Sequence, residues 1–87
     1  MTETEYLQQT QMLFNTVMAH IEGAIVEIEN DDGQKIIINQ QTPMQEVWLA
    51  SRSGGYHFKW NGATWVNTRD GADFWEFLRL ALIEISP

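Results

Sequence analysis

The chain has 87 residues, of which 12 are acidic and 5 are basic, so its formal net charge is −7. This length predicts a single domain with one hydrophobic core, spanning residues 1–87. Hydrophobic residues make up 44% of the sequence, which is typical of a folded chain and not of a disordered one. The acidity argues against a nucleic acid partner, because acidic surfaces repel phosphate backbones.

Several classes of site are excluded by residue types that the sequence lacks. The absence of cysteine removes disulfides, thiolate metal sites and a cysteine nucleophile. A triad of Ser51, His57 and Asp70 can be assembled on paper, but no feature of the sequence activates the serine. No apolar run approaches the ~20 residues that span a bilayer. We therefore expect a cytoplasmic protein-binding module that is neither an enzyme nor a membrane protein.

The hydrophobic pattern predicts a helix at each end of the chain. The first helix is expected over residues 4–22, with an apolar stripe along one side and a stop at Gly23. The second is expected from about residue 74 to 85, after an N-cap at Asp73 and with Glu76 completing a capping box.

About five short strands are predicted between the helices. They cover residues 24–30, 35–39, 46–51, 55–60 and 64–67. Turn residues separate them, and Asp32-Gly33 is a strong hairpin signal. Such a meander between two helices predicts an α+β fold in which both helices pack on one face of an antiparallel sheet. The other face of the sheet is then open to solvent.

Trp48 is the first candidate binding residue. Strand alternation places Val47 and Leu49 on one face of the sheet and Trp48 on the other. If Val47 and Leu49 face the helices, Trp48 lies on the open face, where a tryptophan is a common anchor of protein interfaces. A tryptophan that packs flat against neighbouring strands explains the pattern equally well.

An acidic cluster near the first hairpin turn is the second candidate. It consists of Glu22, Glu27, Glu29, Asp31 and Asp32. Glu27 and Glu29 share one side of a strand, and carboxylate oxygens of this kind bind hard cations. The residues alone favour a solvated acidic face, because charge runs usually point to solvent.

The middle and end of the chain resemble the bacterial frataxin family (CyaY). The resemblance is carried by Lys-Ile-Ile-Ile-Asn-Gln-Gln-Thr-Pro (35–43), Gln-Glu-Val-Trp-Leu-Ala-Ser (45–51), Gly-Gly-Tyr-His-Phe (54–58), Arg-Asp-Gly (69–71) and Phe-Trp (74–75). The first helix is also similar, so the resemblance covers most of the chain.

The resemblance implies a helix–sheet–helix sandwich and a role in iron–sulfur cluster assembly. Frataxins dock onto cysteine desulfurase and scaffold proteins, adjust their rate, and bind iron weakly through carboxylates. Asn39, Gln41 and Trp48 match the family's exposed sheet positions, which implies that they bind the partner.

The candidate iron ligands are Glu22, Glu27, Glu29 and Asp31. The family's acidic ridge lies on the end of the first helix and on the edge strand that follows, and among these four residues Glu22 matches it. A strand-sized acidic segment is expected to be missing after Glu22. Because a five-residue strand spans roughly 17 Å, its loss predicts that the first helix unwinds at its end, docks differently, or swaps into a second molecule.

The leading hypothesis is therefore a frataxin-like, non-enzymatic regulator that docks on the cluster assembly machinery, as a monomer or a domain-swapped dimer. One alternative is an iron carrier or weak ferroxidase that acts through surface carboxylates. Another is a shortened folding variant with impaired function.

Overall fold

The computed structural model describes the backbone of residues 1–17, 20–22 and 25–86, and the side chains of residues 1–17 and 25–86. Within these residues, two helices flank six strands. In chain order the elements are α1 (Glu3–Val17), β1 (His20–Glu22), β2 (Ile25–Glu29), β3 (Lys35–Gln41), β4 (Glu46–Ser51), β5 (Gly54–Trp60), β6 (Trp65–Asn67) and α2 (Phe74–Glu84). A 3₁₀ turn, Thr42–Met44, joins β3 to β4.

The six strands form one antiparallel sheet in which the spatial order is the chain order, β1 to β6. The predicted α+β fold, with two helices and an antiparallel sheet, is confirmed. Tight turns connect neighbouring strands. One of them contains Gly33, whose φ of 82° lies in the left-handed region that residues with a Cβ disfavour.

The end of the first helix differs from the sequence prediction. The helix stops at Val17, and His20–Glu22 form a strand whose register sets His20 opposite Glu27. The predicted helix over residues 20–22 is therefore wrong, and a short edge strand is present where none was expected. The apolar stripe extends to this segment in either conformation, but only a strand gives the outer edge of β2 a backbone partner. The predicted stop at Gly23 lies outside the described residues.

Both helices pack on one face of the sheet in the same molecule. Their buried side chains join those of the strands in one core, which consists of Tyr6, Leu13, Phe14, Val26, Ile36, Ile38, Val47, Leu49, Phe58, Trp65, Phe74, Leu78, Ala81 and Ile85. In this single molecule α1 ends at Val17, earlier than predicted, and packs on its own sheet, while domain swapping stays a prediction.

Side-chain caps fix where each helix begins. Thr2 Oγ1 accepts a hydrogen bond from the Glu5 N–H, and Glu5 Oε1 accepts one from the Thr2 N–H, which is a capping box. These hydrogen bonds hold the pKa of Glu5 below its ordinary value. Asp73 accepts from the Trp75 N–H at 3.0 Å and so caps α2 as predicted. Glu76 instead accepts a hydrogen bond from Arg79.

No helix within the described residues combines the length and the apolar character that a membrane crossing requires.

Candidate functional site

The face of the sheet opposite the helices, which we call the open face, carries Trp48. Its two neighbours in β4, Val47 and Leu49, are buried beneath the helices at 0% and 1% exposure. Trp48 itself is half-buried and lies between them on the other side of the strand. The alternation in the sequence therefore predicts the face of Trp48 correctly, while the role of Trp48 in binding stays a prediction.

Strand register aligns one row of side chains across the open face. Ile25 is opposite Asn39, Asn39 is opposite Trp48, and Trp48 is opposite His57. Gln41 is opposite Glu46, one row away. The structure thus brings Asn39 directly beside Trp48, and it sets Gln41 on the same face two residues further along β3.

Trp48 is fixed by two contacts on this face. Its indole ring stacks on the imidazole of His57, with ring centroids 4.2 Å apart and planes 7° from parallel. Its Nε1–H donates a hydrogen bond of 2.7 Å to Glu46 Oε1. The two alternatives left open by the sequence each describe part of this arrangement, because the indole lies against a neighbouring strand and still belongs to the open face.

Glu46 is a buried carboxylate, with its side chain 6% exposed. Besides the indole N–H, Oε1 lies 3.6 Å from His57 Nδ1 and Oε2 lies 3.8 Å from Lys59 Nζ. A buried carboxylate is costly unless it is hydrogen-bonded and paired, and these three groups supply that compensation. We call Glu46, Trp48, His57 and Lys59 the indole clamp.

Sequence reasoning missed Glu46 and Lys59 in this role. A usable signal was present, because Glu46 stands two residues before Trp48 and therefore shares its face of β4. The partners His57 and Lys59 have the same spacing in β5, but the register between the two strands decides that they lie opposite.

Tyr6 fastens α1 to the other side of the same strand. Its hydroxyl donates a 2.6 Å hydrogen bond to the backbone oxygen of Glu46, and its ring lies edge-on to Trp65 with centroids 6.1 Å apart. The side chain is 0% exposed, and this burial raises the pKa of Tyr6 above its ordinary value. The position of α1 is therefore linked to the strand that carries Trp48.

The three residues that could form a catalytic triad by residue type, Ser51, His57 and Asp70, each contact a different partner. Ser51 Oγ lies 3.1 Å from Ser53 Oγ, His57 stacks on Trp48, and Asp70 Oδ1 accepts from the Ala72 N–H. Each side chain is thus accounted for by its local structure.

The acidic cluster is partly neutralised by Lys35, which lies on the neighbouring strand β3. Lys35 Nζ lies 3.0 Å from Glu27 Oε1, and Lys35 is directly opposite Glu29 in the register. The hydrogen bond and charge of Glu27, together with the charge of Glu29, raise the pKa of Lys35. The ammonium group of Lys35 therefore occupies a position beside Glu27 that a metal ion would need.

The structure describes the side chains of three of the four predicted iron ligands. Glu27 and Glu29 lie on β2, and Asp31 is exposed in the turn that follows. Glu22 belongs to β1, and its side chain lies outside the described side chains. Among the side chains that the structure describes, no three histidine, aspartate or glutamate residues come close enough together to hold a metal ion.

Comparisons with known proteins agree with this fold. The family profile described as "Frataxin-like domain" matches residues 1–86. A protein of Janthinobacterium sp. (strain Marseille), named iron–sulfur cluster assembly protein CyaY, is 43% identical over an alignment that covers 90% of this chain and 84% of that protein. A protein of the same name from Neisseria meningitidis serogroup B is 40% identical, with 94% of this chain and 87% of that protein covered.

A solved structure gives the same picture. The frataxin from Psychromonas ingrahamii superposes with a TM-score of 0.91 at 28% identity, and the match covers 99% of this chain and 92% of that one.

This chain is shorter than its relatives inside the aligned region. The alignment with the Janthinobacterium protein has 94 positions, yet it covers 90% of 87 residues, which is about 78, so about 16 positions have no residue here. The coverage gives the number of missing positions and not their place, so the predicted loss of a strand-sized segment after Glu22 stays a prediction. With a family profile matching residues 1–86 and relatives at about 40% identity, the chain belongs to the frataxin-like family.

Proposed function

We propose that this chain takes part in iron–sulfur cluster assembly by docking its open face onto a cysteine desulfurase or a scaffold protein. The relatives in Janthinobacterium and Neisseria are named for cluster assembly. The observation that carries the proposal is the row formed by Asn39, Trp48 and His57, in which a fixed indole lies between a polar amide and an imidazole.

This row has the properties of an interface centre. Tryptophan is enriched among the residues that dominate binding energies, and a side chain that is already held in place loses little entropy when a partner covers it. Asn39 offers hydrogen-bonding groups directly beside the indole. Gln41 extends the polar border on the same face.

The charge of the chain favours a basic partner. Its formal net charge is −7, and Asp31 and Asp32 are exposed in the turn next to the open face. Charges at the rim of an interface mainly raise the association rate and select the partner. In this proposal the acidic residues steer a basic surface toward Trp48.

The test compares two tryptophans on different sides of the molecule. Trp48→Ala is expected to weaken binding to the cysteine desulfurase by about thirtyfold, the effect of removing a residue central to an interface. Trp75→Ala is the matched control, because Trp75 lies on α2 with 37% exposure and is not part of the open face. Calorimetry gives both affinities. A Trp48→Ala protein that binds as tightly as the unaltered chain would refute the docking proposal.

A regulator without chemistry of its own changes its partner's rate only while bound. We therefore expect the chain to alter the turnover of the desulfurase, and we expect Trp48→Ala to lose this effect in proportion to its lost affinity. An effect on turnover that survives at concentrations where Trp48→Ala does not bind would contradict the proposal. If the unaltered chain fails to bind the desulfurase although its sheet is folded, the alternative of a shortened folding variant with impaired function is favoured.

Iron handling through the carboxylates is the competing function. Glu27 already pairs with Lys35, so any ferrous ion at this site competes with an ammonium group, and we propose that iron binding here is weak. Calorimetry with ferrous iron distinguishes the two functions. The absence of heat at about 1 mM metal, a concentration typical of weak carboxylate sites, would remove iron handling and leave docking untouched.

A further inference from the structure

We infer that Glu46 is a positioning residue, which holds the indole of Trp48 in its docking orientation by accepting the Nε1–H hydrogen bond. This inference rests on the proposed docking function and deepens it. It assigns a role to a buried carboxylate that lies on the open face, although neither the metal chemistry nor the core of the fold requires a charge there.

The geometry restricts the indole from two directions. The hydrogen bond of 2.7 Å between Trp48 Nε1 and Glu46 Oε1 fixes the rotation of the indole within its own plane. The stack on His57, at 4.2 Å, fixes the plane itself. Together the two contacts leave one orientation for a side chain that otherwise samples several rotamers.

The charge of Glu46 makes its hydrogen bond a strong one. A carboxylate acceptor forms shorter and stronger hydrogen bonds than a neutral oxygen, and a buried site excludes competing water. The carboxylate is 6% exposed on its side chain, and the positive or protonatable groups of Lys59 and His57 lie 3.8 Å and 3.6 Å from its oxygens. These neighbours help to hold the carboxylate in place.

The arrangement also limits what the partner presents to Trp48. Because the indole N–H is already bonded to Glu46, the partner has no donor to satisfy at this position. We therefore expect the partner's surface over the indole to be apolar, and its polar groups to face Asn39 and Gln41.

Nuclear magnetic resonance of the indole protons tests the inference directly. The chain has four tryptophans and gives four indole signals, of which the one missing in Trp48→Phe belongs to Trp48. In the unaltered protein we expect the Trp48 indole proton to exchange with solvent about tenfold more slowly than that of Trp75, since it is hydrogen-bonded to a charged acceptor. Equal exchange rates would overturn the inference, and this arm needs no altered Glu46.

Two variants of Glu46 separate positioning from folding. Glu46→Ala is expected to move the Trp48 indole signal and speed its exchange about tenfold, while the other three indole signals stay in place. Glu46→Gln keeps an acceptor oxygen and is expected to restore most of the protection. Glu76→Ala, which removes a carboxylate outside the indole clamp that accepts a hydrogen bond from Arg79 on α2, is the matched control and leaves the Trp48 signal in place. An unmoved Trp48 signal in Glu46→Ala refutes the role.

Binding measurements then connect the position of the indole to docking. Glu46→Ala retains Trp48, yet we expect it to bind the cysteine desulfurase about tenfold more weakly, with Glu46→Gln close to the unaltered protein. If Trp48→Ala weakens binding but Glu46→Ala does not, the indole needs no positioning and the inference is wrong. If Trp48→Ala has no effect either, the docking function itself fails, and the exchange rates still decide whether Glu46 holds the indole.

Discussion

Trp48 and His57 lie face to face on neighbouring strands, with ring centroids 4.2 Å apart and planes 7° from parallel. The stack turns a half-buried tryptophan into part of a rigid surface. His57 is the more exposed of the two rings and covers one side of the indole. Asn39 lies beside Trp48 on the neighbouring strand, so a partner could contact both residues.

Replacing His57 by alanine is expected to release the indole on one side. Trp48 emission should shift to longer wavelength as water reaches the ring, and affinity for the desulfurase should fall by threefold to tenfold, in line with about 0.5–1.5 kcal/mol for an aromatic pair. Difference spectra against Trp48→Phe isolate this signal from the other tryptophans. Lys35→Ala, which changes a residue on the same face but outside the indole clamp, should leave the emission unchanged. An unshifted spectrum in His57→Ala would mean that the stack does not shield Trp48.

The open face shows how far sequence reasoning reaches. Alternation within one strand is a local pattern, so it was enough to place Trp48 on the face of the sheet that Val47 and Leu49 do not occupy. The partners of Trp48 depend on the register between strands, which the length of the turn at residues 52–53 sets. The stack of His57 on Trp48 was therefore not visible in the sequence, whereas Glu46 shares the strand and the face of Trp48, so its hydrogen bond could have been proposed from the spacing alone.

The first helix shows a different limit. Ile21 continues the apolar stripe of α1 and equally suits a short strand, so periodicity does not distinguish the two. The pairing of His20–Glu22 with β2 decides the outcome, because β2 otherwise has an open edge. The contact of Lys35 with Glu27 crosses a hairpin, so it too depends on the pairing between strands and could not be predicted from periodicity.

Tyr6→Phe is expected to destabilise the fold by about 1–3 kcal/mol, because it removes a buried hydrogen bond to the Glu46 carbonyl. Urea denaturation at pH 7 measures this loss. Tyr56→Phe is the matched control, since the Tyr56 side chain is only half-buried and its hydroxyl lies 3.4 Å from the exposed Ser53. Similar losses for the two variants would show that the Tyr6 hydroxyl contributes no more than a surface group.

The same tyrosine predicts a dependence on alkaline pH. Burial raises the pKa of Tyr6, so the folded state holds its proton more tightly than the unfolded state, in which the pKa is about 10. The stability from this group is complete below pH 10 and is lost as pH rises from there through the folded pKa. Stability of the unaltered protein should therefore fall more steeply above pH 10 than that of Tyr6→Phe. Parallel curves for the two proteins would count against this assignment.

Lys35→Gln tests whether the lysine competes with cations. Without the ammonium group, Glu27 loses its partner and the negative potential at Glu27 and Glu29 is no longer offset. We expect the affinity for ferrous iron to rise severalfold at low salt, as measured by calorimetry. Lys59→Gln removes a charge of the same kind elsewhere on the open face and should have a smaller effect. If the two variants bind iron equally, Lys35 does not guard the carboxylates.

Asn30 gives the last prediction, because it joins the acidic turn to the end of α2. Its Nδ2 donates to the Ile85 carbonyl at 2.7 Å, while its Oδ1 accepts from the backbone N–H groups of Asp32 and Gln34. Asn30→Ala leaves these groups without their partner and should cost about 1–3 kcal/mol. A loss of each kcal/mol lowers the melting temperature of a domain of this size by about 4–8 °C.

Asn30→Asp distinguishes the donor from the acceptor. The aspartate keeps the acceptor oxygen but loses the donor to Ile85, and its charge faces the negative end of the α2 dipole beside Asp31 and Asp32. We expect Asn30→Asp to be at least as destabilised as Asn30→Ala at pH 7, and to recover relative to it near pH 4, where the new carboxyl takes up a proton. Asn61→Ala is the control, because Asn61 Oδ1 accepts from Ala63 and Thr64 within its own turn. A smaller loss for Asn30→Asp than for Asn30→Ala at neutral pH would show that the turn needs only the acceptor, and that the bond to α2 contributes little.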